Sequence, residues 1–120
     1  MRFARRCGNG TGSLFALFYP LTLNLMADCQ ITCIRKPNRS STHEHITHVG
    51  NRTTADWMWP REDVIRSIDQ QTNTFYVLDP VNGKRSNVGV VRPQDGRLPF
   101  LQTHADGDWN NNLLSLPECP

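Results

Sequence analysis

The chain has 120 residues, 38% of them hydrophobic and 20% charged, with 13 Lys and Arg against 11 Asp and Glu for a net charge of +2. That length suits one ordinary domain and excludes TIM barrels, two-domain dinucleotide enzymes and kinases, which need roughly 200 residues or more. The positive balance is local: Arg2, Arg5 and Arg6 come with no acid, so without the first 25 residues 10 basic side chains face 11 acidic ones and the charge is −1.

Residues 1–25 read unlike the rest. After the three arginines come Gly8, Gly10 and Gly12, then an apolar stretch broken by Pro20, Thr22 and Asn24. It is too short and too interrupted for a membrane span, and Leu25 is too bulky for the small-x-small site that cleavage at Ala27 requires. The expectation is an extension over 1–25, with translation starting at Met26, and one small domain over 26–120; a cleaved leader and a real N-terminal arm are the alternatives. Without Cys7 the cysteines are Cys29, Cys33 and Cys119, an odd number that argues for reduced thiols and a cytoplasmic protein. The sequons at Asn9, Asn38 and Asn51 then have no use.

In chain order, residues 30–35 alternate as a strand, with Ile31 and Cys33 on one face and Thr32 and Ile34 on the other. A polar loop follows over 36–41, and residues 45–49 resume an extended run ending at Gly50. Residues 60–69 predict a helix: Pro60 suits the first position, Glu62 and Asp63 favour the positive end of the dipole, and Val64, Ile65 and Ile68 form one stripe. Glu62 and Arg66 are spaced for an i,i+4 pair. Trp57 and Trp59 are expected to wedge between helix and sheet. Residues 74–79 and 85–92 predict a hairpin turning at Asn82-Gly83, with Phe75 and Val77 on one face and Tyr76 and Leu78 on the other. A last strand is expected over 100–103, a loop over 105–112, and a packed apolar tail from Leu113. The fold class is therefore α+β: a single domain with one amphipathic helix packed on a mainly antiparallel sheet of four or five short strands.

Several of these residues form a pattern. Ile31-Thr32-Cys33-Ile34, His45-Ile46, Val64-Ile65-x-x-Ile68, Phe75-Tyr76-Val77 and the closing Asn112-Leu113-Leu114-x-Leu116-Pro117-x-Cys119 resemble a small prokaryotic domain of unknown function, DUF3892. The resemblance covers residues 28–119 and implies a stand-alone domain opening just before the first strand. It brings no catalytic residue. Pro60, where a Ser or Thr cap is expected, and the two tryptophans before it depart from the pattern.

Candidate chemistry is sparse. Cys33, His45, His48 and Cys119 are ligand types that zinc selects, and Cys119 can approach Cys33 if the tail packs beside the first strand, but no Cys-x-x-Cys or His-Glu-x-x-His spacing is present. In an extended run His43 and His45 would share a face. A thiol enzyme would pair Cys119 with His104, or Cys33 with His45 and Asp56. Asp106, Asp108 and Asn110 imitate the start of a calcium loop, but Asn111 and Pro117 stand where Gly and Glu are required. Arg35, Lys36, Arg39 and Arg52 form a basic patch near Trp57 and Trp59 that suits an anion or nucleic acid. The leading expectation is a non-enzymatic cytoplasmic module binding a protein partner or small ligand, with no catalytic residue, no cofactor and no membrane. A zinc- or nucleic-acid-binding domain is the alternative, and a Cys/His enzyme the lesser one.

Overall fold

The computed structural model describes Cys7 and residues 27–120. The expected start at Met26 and the extension over 1–25 lie, apart from Cys7, outside the described residues. Among the described residues eight strands and one helix follow in order: β1 (Ala27–Gln30), β2 (Cys33–Arg35), a 3-10 turn (His43–His45), β3 (His48–Asn51), β4 (Trp57–Pro60), α1 (Arg61–Asp69), β5 (Asn73–Leu78), β6 (Arg85–Val91), β7 (Phe100–Ala105) and β8 (Asp108–Asn110). They build two sheets, one ordered β1-β5-β6-β7-β8 and one ordered β2-β3-β4. Only β1 and β5 run parallel; the other strand pairs within the sheets are antiparallel. The α+β class with one helix stands, but eight strands in two sheets replace the expected single sheet of four or five.

The physical reason for the second sheet lies at Ile31-Thr32. The segment is extended as its alternation predicts, yet adjacent residues donate to different sheets: Ile31 N–H to Tyr76 O at 2.8 Å, and Thr32 N–H to Gly50 O at 2.8 Å. A single run of chain thus turns the corner between two layers, as strands do in orthogonal packings. Ile31 and Ile34 are both buried because the two sheets share one core.

That core is centred on three rings. Trp57 and Trp59 alternate inward from β4, at 6.1 and 6.0 Å from Phe75 and 5.7 Å from each other, mostly edge to face. Such pairs contribute about 0.5–1.5 kcal/mol beyond the area they bury. The packing role expected of both indoles is what the structure has. Their close seating depends on Gly50, where an added Cβ would stand 2.5 Å from the Trp57 carbonyl oxygen.

The helix starts one residue later than expected, with Pro60 as its N-cap, and Arg61 N–H donates instead to Thr47 O at 2.8 Å. The expected Glu62–Arg66 pair does not form. Arg66 reaches Asp63 at 3.3 Å, one turn back, and Glu62 is held by Arg61 at 3.0 Å. At the other end Thr72 N–H donates to Ser67 O and Gln71 N–H to Ile68 O, with Gln71 at φ 58°. This is a Schellman cap with glutamine where glycine is usual.

Two turns differ from expectation. In the β5–β6 hairpin Gly83 alone takes positive φ, at 72°, because the loop spans Asp79 to Lys84 rather than closing tightly on Asn82-Gly83. The expected loop over 105–112 contains a hairpin: Asp106 and Gly107 take φ of 54° and 85°, the pattern of a type I′ turn, and β8 pairs back onto β7. The tail is packed as expected. Leu113 is fully buried, and its N–H donates to the buried Thr103 hydroxyl at 3.1 Å.

Candidate functional site

The structure separates or consumes the residues first considered for metal and thiol chemistry. Cys33 and Cys119 do come together, with Cα atoms 4.8 Å apart, but as a disulfide; Cys7 pairs with Cys29. The expectation of reduced thiols is thereby corrected, because all four cysteines are paired. A thiolate ligand or nucleophile at Cys33 or Cys119 requires that bond to be broken. Nor do His43 and His45 share the face of a strand. Residues 43–45 form a 3-10 turn, and His48 lies on β3 with its Nδ1 3.0 Å from the Thr47 hydroxyl. Among the described residues no group of three or more His, Cys, Asp or Glu is placed to hold a metal ion.

The basic patch also divides. Arg52 is bound by Asp56, whereas Arg35, Lys36 and Arg39 stay on or beside the loop after β2. Trp57 and Trp59, 8% and 3% exposed, have no face left for a base to stack on. Among the described residues no helix is long and apolar enough to cross a membrane.

A concavity of ligand size lies elsewhere among the described residues, where two neighbouring strands part. β5 and β6 pair only through Tyr76–Asn87, Val77–Ser86 and Leu78–Arg85. Beyond Tyr76 and Asn87, β5 continues beside β1 while β6 continues beside β7. The gap holds a cavity of about 560 Å³. Its apolar lining is Phe75, Val88 and Ile68, and its polar lining is Asn73, Thr74 and Asn87 with Gln71 and Arg85. Ligand pockets commonly occupy about 300–1,000 Å³ with this mixture of apolar walls and a few polar groups.

The mouth is tied together across three strands. Arg85 Nη1 and Nη2 donate to the two carboxylate oxygens of Asp28 at 2.7 and 2.9 Å, and its Nε donates to Asn87 Oδ1 at 2.8 Å. Thr74 Oγ1 donates to the same Asp28 at 2.7 Å, and the guanidinium lies 4.1 Å from the centre of the Tyr76 ring. The bond to Arg85 holds the Asp28 carboxyl below the usual carboxylate range, and the same bond raises Arg85 further. Both groups therefore stay ionised at neutral pH and cancel each other, leaving a polar mouth without net charge. Behind it, Asn73 Nδ2 donates to Ser67 Oγ at 2.8 Å, fixing the amide against the end of α1.

None of Gln71, Thr74, Arg85 and Asn87 stood out in the sequence as a site residue. One signal was available: Thr74, Arg85 and Asn87 occupy the polar, outward positions of the hairpin alternation. The parting of the strands, which turns that face into a pocket, has no local signature.

No curated protein and no solved structure matches the chain. A family model does match, over residues 30–117, which run from the end of β1 to the tail and take in both sheets, the helix and the cleft. The chain belongs to the family described as protein of unknown function (DUF3892).

Proposed function

We propose that this domain is a non-enzymatic binding module that holds an uncharged, partly apolar small molecule in the cleft between β5 and β6. The observation that supports this reading is the parting of the two strands over Phe75 and Val88, which leaves apolar side chains lining a cavity of ligand size within an otherwise continuous sheet. Burial of a ligand's apolar body there contributes about 25 cal/mol for each Å² removed from water. Gln71, Thr74 and Asn87 supply donors and acceptors for its polar edge. Binding is favoured over acid–base catalysis because the ion pair that ties the mouth, Asp28 and Arg85, is held away from neutral pKa by its own bond. The cytoplasmic placement rested on free thiols, and the two disulfides remove that support; they suit an oxidising surrounding.

Asn87→Trp tests the site without touching the core, since Asn87 is exposed on β6. Screening uncharged one- and two-ring fragments by ligand-observed NMR should give binders of the natural sequence that are lost in the variant. Binders retained in full by the variant would place the ligand elsewhere and sink the proposal.

A further inference from the structure

We propose that the loop spanning residues 35–45 is a second binding site, and that its ligand is a phosphate monoester. Ten Lys and Arg side chains lie within residues 27–120. Seven of them, Arg52, Arg61, Arg66, Lys84, Arg85, Arg92 and Arg97, are in ion pairs. The other three are Arg35, Lys36 and Arg39, and among the described residues none has a carboxylate at ion-pair distance. Among the described residues seven of ten cations are thus matched to an acid, and the three without one fall within five positions.

The same loop carries a hollow of about 440 Å³ lined by Pro37, Asn38, Ser40, Ser41, Thr42 and His45, and Lys36 and Arg39 adjoin these lining residues in sequence. Its groups are arranged to donate. Asn38 N–H donates to Ser41 Oγ at 3.3 Å, which leaves the Ser41 proton for a ligand. The Thr42 hydroxyl makes no capping bond to the 3-10 turn that it precedes. Ser40 Oγ is used locally, donating to Asn38 Oδ1 at 2.9 Å, and that bond shapes the loop. The local field is positive enough to act on a neighbour: burial, and then the charge of Lys36, hold the His43 imidazole below its usual range.

A phosphate monoester fits these donors. It has three terminal oxygens that only accept at neutral pH and carries close to two negative charges, which suits the Ser41 and Thr42 hydroxyls of the hollow and the positive charge of Lys36 and Arg39 on the same loop. A nucleic-acid strand fits less well, because the aromatic rings nearest in sequence are buried and Arg52 is already paired. The cleft between β5 and β6 is built from other elements and has a neutral mouth, so the two sites take different chemistry.

A phosphate monoester can come as a soluble metabolite-sized ester or as a lipid head group, and one experiment separates these. The full chain, disulfides intact, is titrated at constant ionic strength with glycerol phosphate, and in parallel with vesicles of phosphatidylcholine alone or with added phosphatidate, while backbone amide shifts or vesicle co-sedimentation are followed. Saturable shifts over residues 36–45 with glycerol phosphate identify the soluble ester. Retention on phosphatidate vesicles alone identifies the head group. In either arm Lys36→Gln with Arg39→Gln should weaken binding by about tenfold or more, the effect of losing one charged hydrogen bond. Lys84→Gln, which removes one charge from an existing ion pair on another loop, should leave binding unchanged. Absence of saturable binding in both arms, or equal weakening by Lys84→Gln, would overturn the proposal.

Discussion

At the scale of single residues, Asp28 is the one whose environment makes the sharpest pH statement. It accepts from Arg85 and Thr74 and joins β1 to β5 and β6. Its carboxyl ionises below the unfolded value, so its contribution to stability is complete above that value and is lost as pH falls through the folded one. Asp28→Asn should therefore lower the melting temperature modestly near neutrality, where exposure on both sides of the pair keeps the loss small, and flatten the acid limb of the profile as variant and natural sequence converge at low pH. An acid limb identical in the variant would show that the pair is not formed. Individual residues were legible to differing degrees. The alternation of Phe75 and Val77 and the packing of the two tryptophans could be read directly, since size and period decide them. Leu113 rather than Leu114 carries the tail's full burial, a choice set by the Thr103 hydroxyl that receives its N–H, and no single-sequence pattern gives that.

At the scale of elements, the helix end and the strands after it matter most. Gln71 occupies the left-handed position of the Schellman cap, where side-chain crowding costs roughly 1–2 kcal/mol, and its side chain lines the cleft. Strain kept by a non-glycine residue beside a pocket is a pointer to function. Gln71→Gly should raise stability in chemical denaturation by about 0.5 kcal/mol or more, since relief of the strain exceeds the extra chain entropy of glycine. It should also weaken fragments bound in the cleft. A variant that is less stable than the natural sequence would contradict this assignment of strain. The helix, the β5–β6 hairpin and the extended nature of residues 30–35 were all legible, because each rests on local period and turn chemistry. The division of that extended segment between two sheets was not, because Ile31 and Thr32 differ only in which distant carbonyl receives the N–H. The β7–β8 hairpin was readable in principle from Asp106-Gly107. The density of Asx residues around it obscured the signal.

At the scale of the whole molecule, the Cys33–Cys119 bond joins positions 86 residues apart and fastens the tail to β2. Backbone bonds from Ile34 N–H to Pro117 O at 3.0 Å and from Cys119 N–H to Ile34 O at 2.9 Å run alongside it. Closing so long a loop restricts the unfolded chain and stabilises the fold by about 4 kcal/mol. The Cys33→Ala, Cys119→Ala double variant should melt far below the natural sequence, and an unchanged melting temperature would show the bond is not formed in the native protein. Cysteine spacing suggested only that the two residues can approach. Their pairing depends on the tail returning to β2, a tertiary event. The cleft was hidden for the same reason, because strands that part are made of the same residues as strands that pair. The most direct test is a crystal structure of the protein soaked with the tightest uncharged fragment. It should place the fragment between β5 and β6, against Phe75 and Val88 and within reach of Thr74 or Asn87. Density for the fragment only at another surface, with the cleft closed by direct pairing of the two strands, would contradict the account.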